Sequence, residues 1–218
     1  MVLVGIDFSL NSPAFCIFKE GNYHWGSLTR SDRSAESLMK NSKKPYSILG
    51  EHDDFTLIFM ERKDLPDDYL EKERLKIDFF LEVVDTLFSS ITDKIGHEDF
   101  YVAMEGLSFS SNGNSLIDIS MATALLRERI VQKIGKERFY VFSPSSIKKF
   151  AKKGNAKKDE LYEALLEKKE ETNLEVFTSI LEKNKSEWIT KAKQVNKPID
   201  DIVDATWITL FLKEKLNN

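Results

Sequence analysis

The sequence predicts an α/β fold, a mixed five-stranded sheet with helices on both faces. Three observations lead there. Short apolar runs separated by turn-forming residues open the chain, two later apolar runs each follow a long stretch of helical period, and the last third is helical throughout. A meander continued by strand–helix–strand crossovers gives a sheet with both parallel and antiparallel pairs, in which sites gather at the carboxyl ends of the strands.

The elements follow in order. Val2 to Asp7 is β-branched or apolar, and Ala14 to Phe18 and Tyr23 to Leu28 come after polar breaks at Asn11-Ser12-Pro13 and Glu20-Gly21-Asn22, so three antiparallel strands are expected. Ser31 to Asp54 is polar and lysine-rich and reads as an exposed loop, with Phe55 to Phe59 an extra short strand. Pro66 followed by Asp67 and Asp68 starts a helix, and Leu70, Leu75, Ile77, Phe80, Leu81, Val84, Leu87, Phe88 and Ile91 carry its period to Gly96. Tyr101 to Met104 is a strand ending in Glu105; Ser115 to Ile134 is a helix with small residues at Ser120, Ala122 and Ala124. Phe139 to Phe142 is a further strand. Helices are expected over Lys157 to Glu167, Asn173 to Gln194 and Ile199 to Leu212.

At 218 residues the chain is long enough for one well-buried core, and a single domain, 1–218, is expected. With 41% hydrophobic and 31% charged residues it is too apolar for a disordered protein. Its one cysteine, Cys16, lies in an apolar segment, which excludes a disulfide framework and fits a buried, inert thiol in a reducing cytoplasm. No stretch approaches the roughly 20 apolar residues of a membrane helix, and no secretory signal pattern opens the chain, so a cytoplasmic protein without membrane contact is expected. A net charge of −4 does not by itself favour nucleic acid, but phosphate contacts depend on where the lysines stand.

Asp7 and Glu105 each close a predicted strand. Either alone reads as the first solvated residue of a loop. Asp200, Asp201 and Asp204 add a third acidic group at the start of the last helix, inside the otherwise apolar "IDDIVDATWITLFL". The macrodipole accounts for Asp200 and Asp201 in the first turn. It does not account for Asp204, deeper among apolar neighbours, where an unpaired carboxylate is costly. Carboxylates three or four apart share a helix face, and several converging on one place raise one another's pKa unless a cation sits among them. Oxygen-only ligands favour Mg²⁺ or Mn²⁺ over zinc, and His24, His52 and His97 have no metal-ligand spacing.

"GIDFSLNSPAFCIF", "YVAMEGLSF" leading into "NSLIDISMATALLRERI", "YVFSPSSIKKFAKKGNAKKDEL" and "DDIVDATWITL", in that order, resemble the RuvC-like Holliday junction resolvases of the RNase H-like superfamily. The resemblance covers most of the chain; stretches near 31–64 and 172–197 read as insertions, and Phe8-Ser9 replaces the glycine usual after a first Asp-Pro. It implies an RNase H-like sheet and a Mg²⁺-dependent DNA endonuclease, with Mn²⁺ substituting, that resolves four-way junctions by paired hydrolysis on two ions. Asp7, Glu105, Asp201 and Asp204 match the family's metal-binding and catalytic acids; Asp200 is the alternative if the helix phase differs. Asp7 would bridge both ions. The chain's lysine-rich, divergent character fits a phage-encoded enzyme acting in the host cytoplasm.

Lys148, Lys149, Lys152, Lys153, Lys157 and Lys158 follow one another with no acid among them. Alone such a run is as readily a solvated face as a phosphate-binding patch. The resemblance implies a catalytic lysine near the scissile phosphate at Lys158, with Lys148 or Lys149 beside it. It also implies a stacking aromatic just beyond Glu105, for which Phe109 stands one place further on than in the family, where this chain has Ser108. Paired incision of a two-fold junction calls for a homodimer. Ile119, Ala122, Leu126 and Ile130 form a stripe that serves equally as its interface or as core. Competing readings are an RNase H-like nuclease for flaps, forks or RNA–DNA hybrids, an actin-like ATPase, for which the nine scattered glycines form no phosphate loop, and a non-catalytic DNA-binding protein.

Overall fold

The computed structural model describes residues 1–40, 44–62, 64–107, 113–168, 174–190 and 192–217, with the side chains of 113 and 114 outside the description. Six strands form one mixed sheet. β1 (Val2–Asp7), β2 (Ala14–Lys19) and β3 (Asn22–Ser31) make the antiparallel meander; β4 (Phe55–Glu61), β5 (Phe100–Glu105) and β6 (Phe139–Phe142) complete the order β4-β3-β2-β1-β5-β6. β5 is parallel to β1 and β6, and β4 is parallel to β3. The sixth strand is the apolar run after Asp54, longer than expected, which pairs with β3 from Trp25↔Phe55 to Ser31↔Glu61.

Strand residues alternate between two cores. On one face Val2, Val4, Ile6, Phe15, Ile17, Val102 and Met104 pack against Val84, Leu87, Ile91, Leu126 and Ile130 of α3 (Tyr69–Ile95) and α4 (Gly113–Ile134). On the other, Leu3, Ala14, Cys16, Trp25 and Ala103 pack against α6 (Lys158–Glu167), α7 (Glu175–Trp188) and α8 (Ile199–Asn217). This is the period-2 pattern of a sheet covered on both sides. Burial on this scale, at about 25 cal/mol per Å² of apolar surface, is the main driving force for the fold.

The stripe on α4 is core: Ala122, Leu126 and Ile130 have no measurable exposure, so they are unavailable to a second copy. Helices α1 (Ala35–Met39) and α2 (Pro45–Leu49) lie where an exposed loop was expected, each too short to carry a full apolar stripe. The 174–190 part of the second expected insertion is integral, since Leu174, Phe177, Leu181 and Trp188 are fully buried in the α8-side core. Tyr162 donates its hydroxyl to the Leu181 carbonyl at 2.5 Å, tying α6 to α7.

α8 is buried from Ile199 to Leu212 apart from Asp204, as the mostly apolar run of that stretch requires. It lies close on β1 because of Gly5. A Cβ there would meet Thr209 Oγ1 at 2.4 Å and the Ala205 carbonyl at 2.5 Å, so any side chain at position 5 forces helix and strand apart. Thr209 Oγ1 donates to the Cys16 carbonyl at 3.0 Å, and Trp25 Nε1 donates to Thr206 Oγ1 at 3.1 Å, fixing the helix against β2 and β3. Burial pushes the Cys16 thiol up to about 12, which leaves it protonated and unreactive.

Candidate active site

Parity and register bring the acids together. Leu3 and Gly5 face α8, so Asp7, two residues further on, faces it as well. Tyr101 and Ala103 lie on that same face of β5, and Glu105 continues the row. The parallel ladder pairs Ile6 with Met104, so Asp7 and Glu105 emerge side by side where the two strands end. Across from them Asp201 and Asp204 stand one turn apart on α8. All four line one open cavity of about 290 Å³, together with Lys148 and Lys158. A smaller hollow of about 150 Å³ opens on the other side of Asp7 and Glu105, against Phe8, Gly106 and Ile119.

The lysines are positioned by α6 and by α5 (Pro144–Ala151), a helix not anticipated from the sequence. Its start is legible in retrospect: Ser143 accepts from the Ser146 amide at 3.2 Å, Pro144 occupies the first turn, and Ile147 and Phe150 face inward. That phase turns Lys148 into the cavity and leaves Lys149 exposed. Trp207 Nε1 donates to the Leu161 carbonyl at 3.1 Å, locking the first turn of α6, and with it Lys158, against α8. Lys152, Lys153 and Lys157 are exposed and outside the cavity lining; Lys153 pairs with Glu160 at 2.6 Å. Phe109 lies outside the described residues.

Lys158 Nζ donates to Asp200 Oδ2 at 2.7 Å and stands 3.5 Å from Asp204 and 3.9 Å from Asp201. Burial works against its charge, but Asp204 and Asp200 outweigh it and hold the ammonium protonated well above the usual lysine range. Asp200 is buried and absent from the cavity lining, and its Oδ1 has no hydrogen-bond partner among the described residues. Sequence reasoning missed Lys197. Its Nζ donates to both oxygens of Asp201, at 2.9 and 2.7 Å, and to Ser12 Oγ at 2.5 Å. The available signal was the i,i+4 spacing of Lys197 and Asp201.

Burial raises the carboxyl pKa of Asp7 well above its ordinary value, with repulsion from Asp204 and Asp201 adding to it. Asp204 rises to about 7, through burial first, with Lys158 opposing and Glu105 and Asp201 reinforcing. Glu105 is also raised by burial, against the pull of Lys148 and Lys158. Asp201 is raised by burial and by Asp200, against Lys197. These are the signs of like charges gathered in a partly dry place with too few cations.

The donor set suits a hard divalent ion: four carboxylates, oxygen ligands only, mutually repelling and open to solvent on one side. Among the described residues no three acidic, histidine or cysteine side chains already stand at coordination spacing. Lys158 and Lys197 instead lie against Asp200, Asp201 and Asp204. The histidines take no part in the cavity lining. His24 packs near the Phe15 ring and lies 2.8 Å from Thr56 Oγ1.

Comparison with known proteins gives no matching family model and no matching curated sequence. Among solved structures the chain is similar to RuvC. Thermus thermophilus RuvC matches with a TM-score of 0.40 and 13% identity over 99% of this chain and 96% of that one. T. thermophilus RuvC in complex with a Holliday junction substrate matches at 0.42, 13%, 99% and 96%. The yeast mitochondrial Holliday junction resolvase Ydc2 matches at 0.39 and 16%, covering 99% of this chain and 83% of the other.

Proposed function

We propose that this chain is a divalent-cation-dependent endonuclease for branched DNA, four-way junctions foremost. The observation that carries the reading is the convergence of Asp7, Glu105, Asp201 and Asp204, from three separate elements, on one open cavity that Lys148 and Lys158 also line. A Mg²⁺ pair held by those acids, or Mn²⁺ in its place, would supply an activated water and stabilise the leaving oxygen in an in-line attack on a phosphodiester. The protein's own contribution is placement. Asp7 and Glu105 are carried by the parallel ladder and Asp201 and Asp204 by the buried α8, so the backbone beneath the donors is in place and their side chains would turn from Lys158 and Lys197 to close on the ions. Lys148 and Lys158 bring positive charge for the phosphate into the same cavity. The exposed Lys149, Lys152 and Lys157 extend that charge along the adjoining surface as sequence-independent backbone contacts.

Two symmetric incisions require two such sites, and a homodimer supplies them. With the α4 stripe buried, a second copy would seat on the exposed apolar side chains at the starts of α3 and α4: Tyr69, Leu70, Ile117 and Met121. The deciding experiment incubates the protein with labelled four-way junction, fork, flap and linear duplex, with and without Mg²⁺ or Mn²⁺. Symmetric nicking of the junction alone, dependent on the metal, is expected. Equal cleavage of junction, fork and flap but not linear duplex would make it a general branched-DNA nuclease, equal cleavage of all four would remove the branch specificity, and cleavage of none would end the enzymatic reading.

A further inference from the structure

A second hollow adjoins the acid cavity, and its chemistry is the reverse. It encloses about 380 Å³ and is lined by Arg30, Arg62 and Lys76 against a single carboxylate, Asp118, with the Phe79 ring among its walls. Ser9 borders both this hollow and the acid cavity, and Ile119 borders both this hollow and the one beside Asp7 and Glu105, so the three are contiguous. Arg30 stands near the end of β3 and Arg62 directly follows β4, whose parallel ladder with β3 sets them at the same end of two adjacent strands.

The cations here are unevenly satisfied. Lys76 is held by Glu73 at 3.0 Å and by Asp118 at 3.3 Å. Arg62 Nε stands 3.9 Å from the largely exposed Asp32 carboxylate, a weak pair. The Arg30 guanidinium lies 3.6 Å from the centre of the Phe79 ring, and its buried Nε has no hydrogen-bond partner among the described residues. Burial lowers the Arg30 pKa and the neighbouring Arg62 lowers it further, with Glu82 and Asp32 opposing. An anion between the two guanidinium groups would relieve that repulsion, and a guanidinium stacked on a ring offers its other face to a second π system.

A nucleotide supplies both groups at once. We propose that this hollow is a nucleotide subsite for the DNA strand that leaves the acid cavity, with Arg30 and Arg62 on its phosphates and the Arg30–Phe79 stack carrying a base. The assignment rests on the nuclease reading and gives the 31–64 segment a role, since β4 and its exit bring in Arg62. It also bounds the path: beyond Arg30 a further hollow of about 190 Å³ is lined by Glu61, Asp64, Asp78 and Glu82, which repel a phosphate chain.

The test measures binding in an Asp7→Asn background, so that DNA is held and not cut. A labelled four-way junction is titrated by fluorescence anisotropy over a salt series, with 2-aminopurine placed in the strand flanking the cleavage point as a stacking probe. Arg30→Gln and Arg62→Gln should each weaken binding by about tenfold and each lower the slope of log affinity on log salt by about one. Phe79→Leu should weaken binding with the slope unchanged and relieve the 2-aminopurine quenching. Arg62 is exposed, so its variant keeps the test valid should Arg30→Gln fold poorly. Wild-type affinity and slope in Arg62→Gln, beside a Lys148→Gln variant that does weaken binding, would overturn the subsite and leave the nuclease reading intact. A parent protein that binds no DNA would overturn both.

Discussion

Replacing Asp204 with asparagine removes one negative charge from a crowded cavity, and in the absence of divalent cations this should stabilise the protein. Burial and the neighbouring acids lift the Asp204 carboxyl to about 7 from an ordinary 3.8, despite the attraction of Lys158. An acid whose folded-state pKa is raised binds its proton more tightly folded than unfolded, so stability falls as pH rises from about 4 to 7 and stays low above that. Three pKa units correspond to about 4 kcal/mol at 1.36 kcal/mol per unit. The side chain is 25% exposed and its titration is shared with Asp7 and Asp201, so a gain on the order of 2 kcal/mol at pH 8 is the reasonable expectation. For a chain of this size that raises Tm by roughly 4–8 °C. Thermal melts of wild type and Asp204→Asn in EDTA at pH 8, pH 5 and pH 4 read it directly, with a gap that is full at pH 8, falls to less than half at pH 5 and nearly closes by pH 4. Adding Mg²⁺ should stabilise the wild type and not the variant. A variant less stable than wild type at pH 8, or a gap independent of pH, would refute the reasoning.

Four further expectations follow from the geometry. Gly5→Ala presses a methyl group into Thr209 and Ala205 and should cost about 1–3 kcal/mol in denaturant titration, while lowering cleavage by moving α8 and its two acids. Trp207→Phe removes the side-chain donor that the Leu161 carbonyl accepts besides its own helical bond, so a loss of about 0.5–1.5 kcal/mol and a selective rise in amide exchange in α6 are expected. Burial lowers His24 to about 4 from 6.5, so the unfolded chain takes up a proton that the fold resists; this contribution is lost as pH falls from 6.5 to 4, opposite in sign to that of Asp204, and in urea melts His24→Gln should gain stability relative to wild type across that window. Lys158→Met removes the ammonium that Asp200, Asp201 and Asp204 share; cleavage should fall far more than junction affinity measured in Ca²⁺, and comparable losses in both would argue against a role at the reacting phosphate.

The sheet, the two long helices α3 and α4, and the final helix were legible because each has an unbroken hydrophobic period and clear turn residues at its ends. Helix α5 was not. Its lysines dominate the composition, and only the Ser143-Pro144 start and two inward apolar positions betray it. The α4 stripe shows the opposite difficulty: an apolar face looks the same whether it meets a second copy or the protein's own sheet, and only packing against β1 and β5 decides for the sheet. The acids on the strands were readable one at a time as oddly placed carboxylates. Their meeting depends on Gly5, whose role as a spacer-free contact for α8 has no local sequence signature. The Arg30–Arg62 pair was hidden for the same reason, since the fold alone brings the two together, whereas Lys197 carried only the weak signal of its i,i+4 spacing from Asp201.

Manganese binding, followed by electron paramagnetic resonance with an uncleavable phosphorothioate junction present, most directly tests whether Asp7, Glu105, Asp201 and Asp204 hold cations together. Wild type should bind about two Mn²⁺ ions, and an Asp7→Asn, Asp204→Asn double variant should lose that signal while still binding the junction. Equal Mn²⁺ uptake by wild type and the double variant would contradict the assignment of these carboxylates as the metal site.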